Sequence, residues 1–310
     1  MRILFMGTPD FALFSLRALV EAGENIIGVV TQPDKPRGRG YTLTPPPVKV
    51  YAEEQGISVY QPSTLRGEEF AALLSELDPE LIVVVAFGKI LPANVLEYPK
   101  YGCINVHGSL LPEYRGAAPM QRAIIDGKHE TGITTMMMDV GLDTGDMLVT
   151  EKIEILENDN FETVHDKLGS LGAHTLRITI DALKNGTLTR TAQNDAGATY
   201  AAKIEKEDCT IDFSKSKKEV HDLIRGLSPI PLAFTHTADG KMLKVICSEI
   251  SSVSHAAAPG TVLSLDKGKI TVACQDGAID LVTVLPEGKK RMSAADFING
   301  RKVAVGDLLG

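Results

Sequence analysis

Five short apolar runs, Ile3–Met6, Ile26–Val30, Leu81–Phe87, Cys103–His107 and Gly132–Met138, set the main limit on how this chain can fold. Each has the length of a strand, and the segments between the first of them switch to a helical period. After Asp10, a residue suited to capping, Phe11, Leu13, Phe14, Leu16, Leu19 and Val20 fall close to helical spacing, and 65–77 reads as a second helix. Strands apolar on both faces and separated by helices predict a parallel sheet covered by helices on both sides. Ligands of such sheets bind beyond the carboxyl ends of the strands.

The second half reads differently. A long helical pattern over 161–183 stops at Asn185-Gly186, a good C-terminal signal. Residues 187–208 lack an apolar period and read as a linker. A helix near 217–227 follows, then short strands around 243–250, 260–265, 269–273 and 278–284, and a helix from Ser293. That run of strands suggests a small β-barrel. The expected division is therefore 1–186, a linker over 187–208, and a smaller domain over 209–310. At 310 residues, two domains match the usual domain size.

Composition excludes several classes. With 44% hydrophobic and 23% charged residues the chain is neither collagen-like, coiled-coil nor disordered. The longest strongly apolar run, 81–87, is far short of the ~20 residues of a membrane helix. The N-terminus enters a strand-like run directly, without a signal-peptide layout, so the cytoplasm is the expected location. The four cysteines show no disulfide or zinc spacing, and Cys103 reads as a buried strand thiol. The histidines lack ligand spacing as well, so no metal is expected. The net charge of −8 is uneven: residues 206–310 hold 14 Lys+Arg against 13 Asp+Glu, so the acidity lies in the front part. The two parts are expected to meet different partners.

Gly7-Thr8-Pro9-Asp10 follows the first strand but lacks the glycines of a dinucleotide fingerprint, and no P-loop is present. Asn105 and His107 stand two apart at the end of a strand, so they share a face. Asn offers an amide donor and His a proton carrier; together they could polarise a carbonyl and manage protons. For an isolated pair, a hydrogen-bonded histidine at a sheet end is the plainer account. The following segment, NVHGSLLPEYRGAAP over 105–119, and the glycine-hinged loop MDVGLDTGD over 138–146 change this.

The two blocks resemble the folate-dependent formyltransferases over more than twenty positions. Thr31–Gly40, Ala117–Arg122 and Gly288–Ser293 resemble the branch of that superfamily that acts on methionyl-tRNA, and the likeness runs end to end. The resemblance implies a Rossmann-like N-terminal domain and an OB-like C-terminal barrel that binds tRNA. It implies formyl transfer from 10-formyltetrahydrofolate, as cosubstrate, to the α-amine of methionine on initiator tRNA, in translation initiation. Asn105, His107 and Asp143 would form the catalytic group. Ser109, Leu110, Leu111 and Pro112 would belong to the folate site. Phe87, Ile90 and Leu91, just after a strand end, are expected as apolar walls for the pterin. Arg37 and Arg39, on a glycine-flexible basic loop, and Lys289, Lys290 and Arg291 would contact RNA. One departure stands out: the family places a Trp after the proline where this chain has Ile230, and the chain has no Trp. A formyltransferase acting on a nucleotide-linked amino sugar is the closest alternative, and a non-enzymatic RNA-binding module is another. The basic segments argue against the first and the catalytic constellation against the second. A monomer is expected.

Overall fold

Leu81 to Val85 is entirely buried and mostly β-branched, which suits a strand covered on both faces, and it forms the middle of a seven-stranded sheet. The computed structural model describes residues 1–37 and 42–310, so Arg39 lies outside the described residues. In chain order the first elements are β1 (Arg2–Gly7), α1 (Asp10–Glu21), β2 (Asn25–Val30), a hairpin of β3 (Lys35–Arg37) and β4 (Thr42–Thr44), α2 (Pro47–Glu54), β5 (Val59–Tyr60) and α3 (Glu68–Leu77). Next come β6 (Leu81–Val85), α4 (Ala93–Leu96), β7 (Cys103–His107), β8 (Arg115–Gly116), α5 (Pro119–Ile125), β9 (Glu130–Met137), β10 (Met147–Glu154) and α6 (Phe161–Lys184). The last are β11 (Tyr200–Ala201), α7 (Lys217–Gly226), β12 (Ala233–His236), β13 (Met242–Ser251), β14 (Val262–Ser264), β15 (Ile270–Cys274), β16 (Gly277–Pro286), β17 (Met292–Ser293) and α8 (Ala294–Asn299).

Two compact units emerge. The first comprises 1–116, 131–153 and 165–200; the second comprises 117–130, 154–164 and 201–310. The sheet of the first unit runs β10-β9-β7-β6-β1-β2-β5. Alternate residues of its strands serve its two faces. Leu4, Met6, Ile82 and Val84 pack with Phe70 and Leu74 of α3 and Val95 of α4. On the opposite face Val106 and Ile133 meet α6 closely, where a Cβ at Gly172 would lie 3.1 Å from Val106.

The sheet is mixed, not wholly parallel as its apolar runs suggest. β7 pairs in parallel with β6, but β9 runs antiparallel to β7. A parallel return needs a crossover helix packed on the sheet. The helix between β7 and β9 is α5, which belongs to the second unit and packs on α7 there. Without a helix of its own the chain returns antiparallel.

The second unit holds a six-stranded antiparallel sheet in the order β12-β13-β16-β15-β14, with β17 on β16. Its core includes Ile224 and Leu227 from the α7 segment, Val245, Ile279 and Leu281 from the sheet, and Phe297 from α8. α7 begins at a capping box in which Ser216 and Glu219 satisfy each other's backbone N–H groups. Register shifts around Cys247 bend the long β13–β16 pair. Among the described residues this is an antiparallel sheet with β12 and β14 as the ends of its order, not a demonstrated closed barrel.

Candidate active site

The register of β7 decides which of its side chains can meet a ligand. Asn105 lies beside Val84 of β6 and Met136 of β9, and His107 lies beside Thr134, so both face the same side at the carboxyl end of the strand. Asn105 is half-buried, and its amide has no hydrogen-bond partner among the described residues. His107 is buried at 5% exposure, with Nε2 2.9 Å from the carbonyl oxygen of Tyr114. A carbonyl only accepts, so Nε2 carries the proton and Nδ1 of the neutral ring keeps its lone pair. Nδ1 faces Asp143 Oδ2 at 3.6 Å, beyond hydrogen-bond length. Nδ1 is therefore the nitrogen left for chemistry, with a carboxylate alongside to receive a charged ring.

Asp143 reaches His107 from the loop between β9 and β10. Its backbone is left-handed, at φ 54°, a conformation that costs a non-glycine residue about 1–3 kcal/mol and persists only when its surroundings hold it. Its Oδ2 accepts from the Gly116 N–H at 2.8 Å. Its carbonyl and that of Gly145 accept from Gln193 Nε2 at 2.8 and 2.7 Å. Gly145 is required here, because a Cβ at that position would lie 1.7 Å from the Met137 carbonyl oxygen. Gln193 is oriented in turn by Arg115, whose Nε donates to its Oε1 at 3.0 Å. Arg115 is 2% exposed, so burial works against its charge, but Asp195 at 2.7 Å and Tyr200 outweigh this and raise its pKa.

The residues expected around the folate occupy two segments. Ser109 is buried and donates to the Glu113 carbonyl at 2.6 Å, while Thr134 Oγ1 bridges the Ser109 carbonyl and the Leu111 N–H, bracing 109–113 against β9. Leu111 is buried; Leu110 and Pro112 are half-buried. Phe87 and Leu91 are buried in the core with Met6 and Val30, whereas Ile90 is 83% exposed. The Phe87 carbonyl accepts from Thr8 and Gln32, which fixes the loop after β6. Val140 and Leu142, in the same loop as Asp143, are 81% and 58% exposed.

Of the basic residues, Arg37 ends β3. The root of that hairpin is tied down: Asp34 takes bonds from Gln61 and Lys49, which hold its carboxyl below the usual carboxylate range. Lys289, Lys290 and Arg291 are exposed in the turn between β16 and β17, and Ile230 is 71% exposed. Cys103 is buried, and burial pushes its thiol up to about 12. Among the described residues no group of three or more His, Cys, Asp or Glu is placed to hold a metal ion, and no helix is long and apolar enough to cross a membrane.

No feature of the sequence singles out Gln193 or gives site roles to the Tyr114 carbonyl, the Arg115 side chain or the Gly116 N–H. Gln193 sits in the segment read as a linker. That segment also pairs Thr191 with Met147, and its Thr199 carbonyl accepts from the Arg115 N–H. No local signal marks Gln193, since its bonds run to residues 48 and 50 positions away.

The model of the formyl transferase family matches residues 1–180, and that of the formyl transferase C-terminal domain matches 203–302. The chain belongs to the formyl transferase family. Relatives of this formyl transferase include the methionyl-tRNA formyltransferase of Geobacter metallireducens, 50% identical over 99% of this chain and 98% of its own length. Another, of the same name, from Lachnospira eligens, is 47% identical over all of both chains. A solved N-formyltransferase from Helicobacter canadensis, in complex with folinic acid and dTDP-3-aminofucose, superposes with a TM-score of 0.67 at 21% identity, covering 90% of this chain and 98% of its own. HypX from Aquifex aeolicus, in complex with tetrahydrofolic acid, gives 0.66 at 16% identity; the match covers 98% of this formyl transferase but 48% of HypX. At such identities these two structures speak for the fold alone.

Proposed function

We propose that this formyl transferase moves the formyl group of 10-formyltetrahydrofolate to the α-amino group of methionine on initiator methionyl-tRNA, acting in the cytoplasm as a monomer. The observation that carries the chemistry is the pairing, at one strand end, of an Asn105 amide without a partner among the described residues and a His107 whose Nδ1 lies beside a carboxylate. The tRNA assignment is supported by full-length identity near one half to proteins named methionyl-tRNA formyltransferase.

The cosubstrate supplies an amide-like formyl group on N10 and leaves as tetrahydrofolate. Such a group needs a donor at its oxygen, and Asn105 has an amide to give. The Asn105 side chain donates to the formyl oxygen as negative charge grows there. His107 accepts the amine proton at Nδ1 while Nε2 stays on the Tyr114 carbonyl, and it returns a proton to the departing nitrogen. Asp143 stabilises the charged ring between these two transfers. Exposed Ile90, Val140 and Leu142 offer apolar surface for a flat pterin ring. Arg37, Arg39 and the Lys289–Arg291 turn take the RNA, and no metal takes part.

The test is formyl transfer from 10-formyltetrahydrofolate to charged initiator methionyl-tRNA, beside uncharged tRNA and a nucleotide-linked amino sugar. Transfer to the charged tRNA alone is expected. Transfer to the sugar alone would keep the chemistry and overturn the RNA assignment. Activity on neither would overturn both.

A further inference from the structure

We infer that Gln193 is a positioning residue for formyl transfer: by donating to the Asp143 and Gly145 carbonyls, it holds the Asp143 carboxylate beside His107. The inference rests on the function proposed above, because it gives Gln193 a role only if Asp143 serves His107 during transfer.

The loop that carries Asp143 is fixed at its ends, where Met138 packs on the core and the Met137 N–H donates to the Asp146 carbonyl at 2.8 Å, but not at its tip. Val140, Gly141 and Leu142 are exposed, so no apolar contact holds the tip. Its internal bonds, from Gly141 N–H and Thr144 Oγ1 to Asp139 Oδ1, shape the turn without fixing where it stands. Asp143 is itself left-handed and needs outside support to stay so. That support includes the Gly116 N–H on the carboxylate and the two bonds from Gln193 on the backbone either side of Thr144.

Gln193 suits this task because its amide has both ends engaged. Oε1 accepts from buried Arg115, which leaves Nε2 and its two hydrogens for the two carbonyls. The reverse orientation would set a donor against the guanidinium and an acceptor against two carbonyls. Arg115 links this to the rest of the site. Its neighbour Tyr114 receives the His107 Nε2 hydrogen, and its neighbour Gly116 donates to Asp143. Three consecutive residues thus hold His107, Gln193 and Asp143 in turn, so the spacing of acid and base depends on one short stretch plus Gln193.

Gln193→Glu is the discriminating variant. Glu keeps an oxygen for Arg115 but has no hydrogen for the carbonyls of Asp143 and Gly145. Gln193→Met, of similar length, is the second variant, should the charge of Glu prevent folding. Misplacing a catalytic group by about 1 Å costs about 10²-fold in rate, and a loss of kcat of about that order is expected, with KM for both substrates little changed. Combined with Asp143→Asn, either variant should lower kcat no further, because both act through one carboxylate. Wild-type kcat in both variants, a change in KM alone, or losses that multiply in the double variant would overturn the inference. If Asp143→Asn by itself keeps wild-type turnover, the assignment of Asp143 falls and this inference with it. If Asp143→Asn is crippled while the Gln193 variants are not, only the inference falls.

Discussion

Truncating Asn105 to alanine separates chemistry from folding more cleanly than any other change at this site. The backbone of Asn105 pairs with Val84 and Met136 in the middle of the sheet, and those bonds are untouched by the substitution. Its side chain makes no hydrogen bond to the rest of the described protein and is half-buried, so its removal strands no buried partner. Stability should change by no more than about 1 kcal/mol, which is the ordinary size for a point substitution outside the core. The rate should respond far more. Removing one oxyanion donor costs about 2.7–4 kcal/mol, or about 10²–10³ in kcat, because the interaction strengthens only as charge develops on oxygen. Single-turnover formylation with enzyme in excess reads the chemical step, and a thermal melt reads folding. Asn105→Asp, which has nearly the same shape but no donor, should lose at least as much. Turnover within about threefold of wild type for Asn105→Ala, far short of the loss of an oxyanion donor, would refute the role of Asn105. A large fall in melting temperature would refute the claim that its side chain carries no structural load.

Other perturbations probe the rest of the molecule. His165 has a raised pKa because Asp10, with Asp166, favours its charged ring, so it stabilises the fold fully below about pH 6.5 while Asp10 stays ionised; that contribution fades as pH rises from about 6.5 through the folded value, and a pH series of melts on His165→Gln should lack this component. Ser216→Ala removes the hydroxyl half of the α7 capping box and should destabilise the second unit by about 0.5–2 kcal/mol in a urea titration, with no effect if the cap is dispensable. Replacing Lys289, Lys290 and Arg291 together with alanine should raise KM for the charged tRNA without changing KM for the folate. The salt dependence should flatten too, its log–log slope falling by about 0.9 for each phosphate that is no longer neutralised. An unchanged slope would show that this turn does not touch the RNA.

Much of the fold could be read along the chain, because the signals that set it are local. Five short apolar runs became strands close to their expected limits, since a short run rich in β-branched residues and bounded by turn signals suits a strand. The helix expected over 161–183 was plain from its period and its end signal, and the helix expected near 217–227 was found over 217–226. The shared face of Asn105 and His107 follows from the strand period alone. Only tertiary structure could assign α5 to the second unit, and with it the antiparallel return of β9, because that choice lies in where an apolar helix face finds its partner. Asp143 was grouped with His107 by the resemblance alone; it stands 36 residues beyond His107 and becomes its neighbour only when the loop is folded back and clamped, which no local signal shows. Gln193 shows the limit most clearly. A polar side chain whose partners are backbone carbonyls far along the chain leaves no period, no motif and no charge pattern, so its place beside the site appears only when the chain has closed around it.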